Sequence, residues 1–225
     1  MQTIRIDKYL AQLNLVSRRE AKKFFRAGRL QINGYVELDH GFEVIDGDRI
    51  VIDDDLSFVV KQVVTVLINK PAGYVCSEID EWWHLSYKKL LEDCIYAPFL
   101  KVAGRLDQDT TGLVVATSDG DLNHRLTSPK SGKEKEYIVT CKNDISDKDI
   151  AELEKGVRID DDYLTLPCTV VRKSPCLFHL IIREGKYHQV KQMCAAIGNE
   201  CVALQRIRMG EWTIEGIEEG KWKQL

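Results

Sequence analysis

The chain has 225 residues, room for one large domain or a small one followed by a medium one, and at 44% hydrophobic and 30% charged it has a globular composition. No apolar run approaches the ~18 residues that a membrane span needs, and the opening MQTIRIDKYL lacks the basic-then-apolar pattern of a secretory leader, so a cytoplasmic protein without a membrane partner is expected. The net charge of −3 speaks against a nucleic-acid partner only as a sum, because the cations are unevenly placed.

Ile6 to Leu13 reads as a short helix, with Asp7 near its start and Asn14 past its end. A second helix begins at Ser17, where Ser-Arg-Arg-Glu forms a capping box, and stops at Gly28. It carries Arg18, Arg19, Lys22, Lys23 and Arg26, with Arg29 just beyond, against the single Glu20. Positions 18, 22 and 26 share one stripe, while Ala21, Phe24 and Phe25 face a small core. A local field of that sign attracts phosphate, although a solvated charged face has the same pattern. Leu30–Ile32, the Asn33-Gly34 turn, Val36–Leu38 and Gly47–Ile52 read as short strands with turns between them. The acidic Asp53-Asp-Asp55-Leu-Ser57 suits a linker, which gives a first domain over 1–58 and a second over 62–225.

In the second region Val63–Ile68 is strand-like and Asn69–Gly73 a turn. Leu113–Thr117 is a buried strand leading to a helix capped by Asp119 and closed before Pro129. Tyr137–Thr140 is another strand, Ser146–Lys155 a capped helix, and Tyr163–Val171 with Leu177–Arg183 a hairpin. A last helix runs from Tyr187 to Ile197, with Val190, Cys194 and Ile197 on one face. This irregular order points to an α+β fold with a largely antiparallel mixed sheet flanked by helices. The seven cysteines are odd in number and hold no Cys-x-x-Cys pair, so free thiols are expected rather than a disulfide framework. The spacing of His188, Cys194 and Cys201 fits no usual metal site, so no metal is expected.

The passage Ala103-Gly-Arg-Leu-Asp107-Gln-Asp-Thr-Thr-Gly112 is a loop with an acidic side chain at the mouth of a buried strand. Catalytic groups often sit on loops held by a rigid element. Taken alone, Asp107 reads first as an acidic turn ahead of a strand.

Two resemblances sharpen this picture. Arg5-Ile-Asp-Lys-Tyr-Leu10, Ser17-Arg18 with Ala21, Gly28, Ile32-Asn-Gly34 and Gly47-Asp48 resemble the S4-type RNA-binding domain, which implies RNA binding without catalysis. Further on, Leu67–Ser77, Ala103–Asp107, Lys133–Tyr137 and Arg183–Met193 match, in order, the motifs of the RNA pseudouridine synthases, and the similarity continues through Val202–Gly210. That resemblance implies isomerisation of uridine with no cofactor. Asp107 would be the nucleophile or base, and Lys186 its cationic partner, where the commonest family pattern carries arginine. Tyr137 would stack on the extruded base, and Arg105 would fill the gap it leaves. Gln189 and Lys191 would reach phosphates or support the site.

The wording is most similar to the branch acting on small-subunit ribosomal RNA, implying uridine 516 of 16S rRNA, free or in an assembling subunit, as the target of a monomeric enzyme. A large-subunit rRNA or tRNA target, and a non-catalytic ribosome-associated protein, are the alternatives. A hydrolase pairing Asp107 with Asp109 is another, weakened because two side chains so spaced on a loop are expected to diverge.

Overall fold

The computed structural model describes residues 3–128 and 131–225. Contacts divide the chain into two compact units: one runs to Val64 and takes in Glu92–Leu100, and the other holds Thr65–Leu91 and Lys101–Leu225.

The first unit opens with helices Ile6–Gln12 and Arg18–Arg26. Ser17 caps the second by accepting from the Glu20 amide, and its hydroxyl also meets the Glu20 carboxylate. Ala21 and Phe25 are buried, whereas Arg19, Lys22, Lys23 and Arg26 are exposed. No ion pair among the described residues uses those four cations. The Arg18 side chain lies outside the described residues. A four-stranded antiparallel sheet follows, with Tyr35–Val36, Leu30–Ile32, Arg49–Ile52 and Leu56–Val59 in spatial order.

Two expectations are corrected here. Asp53–Asp55 is the turn of a hairpin rather than a linker. Asp53 and Asp54 adopt left-handed conformations at φ 52° and 58°, which Asp tolerates, and Leu56–Val59 then pairs back onto Arg49–Ile52. Glu92–Leu100 packs with the first unit: the Tyr96 hydroxyl donates to the Val59 carbonyl, and the Phe99 ring lies 5.6 Å from that of Tyr9.

The second unit is built on a nine-stranded mixed sheet. Its main path runs Thr169–Ser174, Leu177–Ile182, Lys135–Cys141, Cys201–Met209, Thr111–Thr117, Thr65–Lys70 and Trp222–Gln224. All neighbours are antiparallel except Thr111–Thr117 with Cys201–Met209, which is parallel. Helices Gly120–Thr127, Asp147–Lys155 and Gln189–Ala196 flank it. Asp119 caps the first and Ser146 closes a full capping box on the second. Pro129, expected to close the first of these helices, lies outside the described residues.

Leu67, Leu113 and Val115 join Leu126 of the flanking helix in one apolar cluster. The expected long strand Tyr163–Val171 is broken: Tyr163–Leu164 pairs with Arg158–Ile159, and only Thr169–Ser174 enters the sheet. No helix among the described residues is long and apolar enough to cross a membrane.

Candidate active site

One row of the sheet organises the site. Leu180, Tyr137, Arg206, Gly112 and Lys70 are consecutive partners across five strands, so their positions share one face. Two cations of that row hold the loop between Ala103 and Thr111. Arg206, 1% exposed, donates from Nε to the Leu113 carbonyl at 2.7 Å and from Nη2 to that of Gly104 at 2.9 Å. The fully buried Lys70 donates from Nζ to the carbonyls of Pro71, Tyr74 and Gln108. Burial lowers the Lys70 pKa, although Cys76, Asp109 and Asp107 act in the opposite sense.

The loop is tied elsewhere too. The Leu106 amide donates to Cys76 Sγ at 3.4 Å, the Gly73 amide to the Gln108 carbonyl at 2.9 Å, and the Thr110 amide to the Asp107 carbonyl at 3.1 Å. Gly112 permits the close approach of strands beneath it. At φ 102°, a Cβ there would lie 2.2 Å from the Arg206 carbonyl oxygen.

This scaffold presents Asp107 half-buried, with Arg105 exposed two residues earlier. Lys191 Nζ lies 3.2 Å from Asp107 Oδ2 and 2.6 Å from Asp109 Oδ1, and His188 Nε2 lies 3.6 Å from Asp107 Oδ1. Burial works against the Lys191 ammonium, but its hydrogen bonds and charge interactions with Asp109 and Asp107 outweigh this and raise its pKa. Asp109 shows the mirror effect: burial alone would raise it, and Lys191 brings it below the usual 3.8. The expectation that the two carboxylates diverge is therefore corrected. They converge on one ammonium, which offsets their repulsion.

The expected partner, Lys186, is not at Asp107. Its ammonium lies 4.2 Å from the centroid of the Tyr163 ring, a cation–π contact. The cause is local backbone geometry. His188 adopts a left-handed conformation at φ 48°, its ring stacked on Tyr187 at 3.8 Å, and the helix starts only at Gln189. The turn carries the 186 side chain towards Tyr163 and the first helical turn towards the Asp107 loop.

For Gln189 only the expected phosphate contact is corrected. At 3% exposed it cannot be a surface contact to RNA; its Nε2 donates to the Glu184 carboxylate at 2.6 Å and its Oε1 accepts from the Lys186 amide at 2.9 Å. Glu184 also accepts from the Tyr163 hydroxyl and the Leu166 amide, so this buried knot fixes the start of the helix. Lys191, expected among phosphate contacts or supporting groups, is the cation at Asp107. His188 was missed as a site residue. Helical periodicity could not have found it, because His188 precedes the helix in a left-handed conformation. Tyr137 is buried in the central strand, one strand away from Arg206.

A half-buried carboxylate between a lysine and a histidine, on a loop pinned from below by two buried cations, suits nucleophilic or proton-transfer chemistry near an anionic substrate. Among the described residues no cluster of His, Cys, Asp and Glu could hold a metal ion.

Comparison with known proteins agrees with this chemistry. Residues 64–196 match the family model for RNA pseudouridylate synthase, and residues 4–50 match that for the S4 domain. Ribosomal small subunit pseudouridine synthase A of Salmonella typhimurium (strain LT2) is 38% identical over 99% of this chain and 96% of its own length. The protein of that name from Escherichia coli K12 is 36% identical over the same shares. YtzG of Bacillus subtilis, described as an uncharacterized RNA pseudouridine synthase, is 37% identical over 99% of this chain and 95% of its own. A crystal structure of a pseudouridylate synthase superposes with a TM-score of 0.69 at 33% identity, covering 99% of this chain and 96% of that one. The chain belongs to the RNA pseudouridylate synthase family and carries an S4 domain ahead of its catalytic region.

Proposed function

We propose that this protein converts one uridine of small-subunit ribosomal RNA to pseudouridine, at the position conventionally numbered 516 in 16S rRNA, with Asp107 as nucleophile. The observation that carries the reading is the Asp107 carboxylate held at 3.2 Å by Lys191 and 3.6 Å by His188. The reaction breaks the N1–C1′ bond, turns the uracil over and forms a C5–C1′ bond. A proton leaves C5 and one is gained at N1, so no electrons are exchanged and no cofactor is consumed. Asp107 attacks, and Lys191 and His188 fix the direction in which its oxygens point.

Tyr137 stacks on the turned-out base, and Arg105 occupies the space that base vacates. Arg18, Arg19, Lys22, Lys23 and Arg26, on the second helix of the first unit, meet the phosphates that dominate RNA affinity. The names of the similar proteins support the small-subunit target. The protein acts as a monomer in the cytoplasm, on 16S rRNA or an assembling subunit.

The test is incubation with a 16S rRNA fragment, followed by mapping of reagent-tagged pseudouridine by mass. Wild type should tag position 516, and Asp107→Asn should bind the fragment yet give only background. Appreciable product from a verified Asp107→Asn protein would remove Asp107 from the role. Product only in large-subunit RNA or tRNA would change the target and leave the chemistry.

A further inference from the structure

The second unit carries an aromatic tip that the reaction leaves unused. The Glu81 and His84 amides each donate to the other residue's carbonyl, at 2.9 and 2.8 Å, closing a two-residue turn. The residues in that turn are Trp82 and Trp83, which are 96% and 93% exposed, with Ile79 and Leu85 exposed beside them. Trp82 sits at φ 54°, in a region that bulky side chains rarely adopt and that such turns usually reserve for Asn, Asp or Gly. Two bare indoles on a strained backbone are the reverse of what folding alone selects, and an exposed apolar patch of this kind marks an interaction site.

The loop is anchored at its base. Leu85–Ser86 pairs with Tyr74–Val75, the Ser86 amide donates to Asp80 Oδ1 at 2.7 Å, and its hydroxyl bonds the Ser77 carbonyl. The Tyr87 ring is buried, with its hydroxyl on Glu78, and Lys88 pairs with Glu78 at 3.3 Å. Two of the loop's acids, Glu78 and Asp80, are thus engaged within the loop and its base.

We infer that Trp82 and Trp83 form a stacking platform for unpaired nucleotides flanking the target uridine. Proximity to the reacting carboxylate is the first argument. Cys76, at the foot of the loop, accepts from the Leu106 amide immediately before Asp107. Trp82 is six positions after Cys76 and Trp83 three before Ser86, so at no more than ~3.6 Å per position Trp82 lies within about 22 Å of Cys76 and Trp83 within about 11 Å of Ser86. A few nucleotides span that distance, so RNA held at Asp107 can reach the tip. Chemistry is the second argument: every base has a π-face, and flat, rigid indoles bind it without reading sequence. The inference rests on the proposed function, in that the RNA concerned is the one turned over at Asp107.

The experiment compares wild type with Trp82→Ala/Trp83→Ala and Trp82→Phe/Trp83→Phe, using a 16S rRNA fragment as the probe. Binding is read by filter retention and by quenching of tryptophan emission, to which the half-buried Trp212 and Trp222 give a baseline. The double alanine variant should bind about 10- to 100-fold more weakly, the range for loss of base stacking, and should lose most of the quenching. The phenylalanine variant should recover most of the affinity. Abasic nucleotides beside the target should weaken wild type similarly and add little in the alanine variant.

Unchanged affinity and quenching would overturn the platform. So would retained RNA affinity with lost association to proteins of an assembling small subunit, which would make a protein the partner of the tip. Pseudouridine mapping on wild type is scored separately. Failure there, with binding still lost in the alanine variant, would overturn the target and leave the platform standing.

Discussion

The replacement Lys191→Met is the sharpest test of the site, because it separates two cations five residues apart. It removes the ammonium 3.2 Å from Asp107 and 2.6 Å from Asp109 while keeping a long apolar stem. At 3.2 Å a pair of unit charges interacts by about 1.3 kcal/mol at the dielectric of water and about 5 kcal/mol at an effective dielectric of 20. With the Lys191 and Asp107 side chains 26% and 31% exposed, the effective value falls between those limits, at about 2–3 kcal/mol. If the pair must be intact in the transition state, that corresponds to a rate loss of about 30- to 150-fold. Asp109, stripped of its partner, adds repulsion at Asp107.

The assay is single-turnover pseudouridine formation at saturating RNA, with affinity measured in parallel. Lys191→Arg should retain much of the rate, since the charge survives although the geometry changes. Lys186→Met should stay within about threefold of wild type and cost only a cation–π contact worth ~0.5–1 kcal/mol of stability. Wild-type turnover in Lys191→Met, with Lys186→Met at background, would take the pairing role from Lys191 and return it to Lys186.

Replacing Lys22, Lys23 and Arg26 together with Ala should weaken RNA binding and reduce the slope of log affinity against log salt by about 2–3, with the single-turnover rate nearly untouched; an unchanged slope in a salt series would reduce the patch to a solvated face. Gly112→Ala should destabilise the protein by several kcal/mol, roughly 2–4, because its Cβ meets the Arg206 carbonyl at 2.2 Å, and a wild-type melting temperature would contradict the close approach. Glu136 bears on acid stability. Burial alone would raise its pKa, but Arg208 and His179 hold it below 4.5, so its contribution is present above that value and is lost as pH falls through the lower folded one. Glu136→Gln should therefore lower stability at neutral pH and make acid unfolding less steep, checked by denaturant midpoints between pH 3 and 7.

Local chemistry in the sequence decided most of the elements. Ser17, Asp119 and Ser146 accept amide hydrogens within three residues of themselves, so their helices start where the sequence says they do. The Asn33-Gly34 pair closes its hairpin with left-handed angles of 52° and 88°, a preference those residues carry alone. Asp107 on a loop before a buried strand, and Tyr137 within one, were readable for the same reason, as motif and periodicity are properties of neighbours in the chain.

Which groups meet is a different matter. The partner of Asp107 depends on a single left-handed residue, His188, and on a buried Glu184–Gln189 knot, neither of which has a periodic signature. The roles of Arg206 and Lys70 depend on sheet register, which aligns residues 70, 112, 137, 180 and 206 from five separate segments. A cation buried among carbonyls looks, in sequence, like any surface lysine or arginine. Only the folded chain, by bringing distant carbonyls to those cations, distinguishes the groups that hold the loop from those left at the surface.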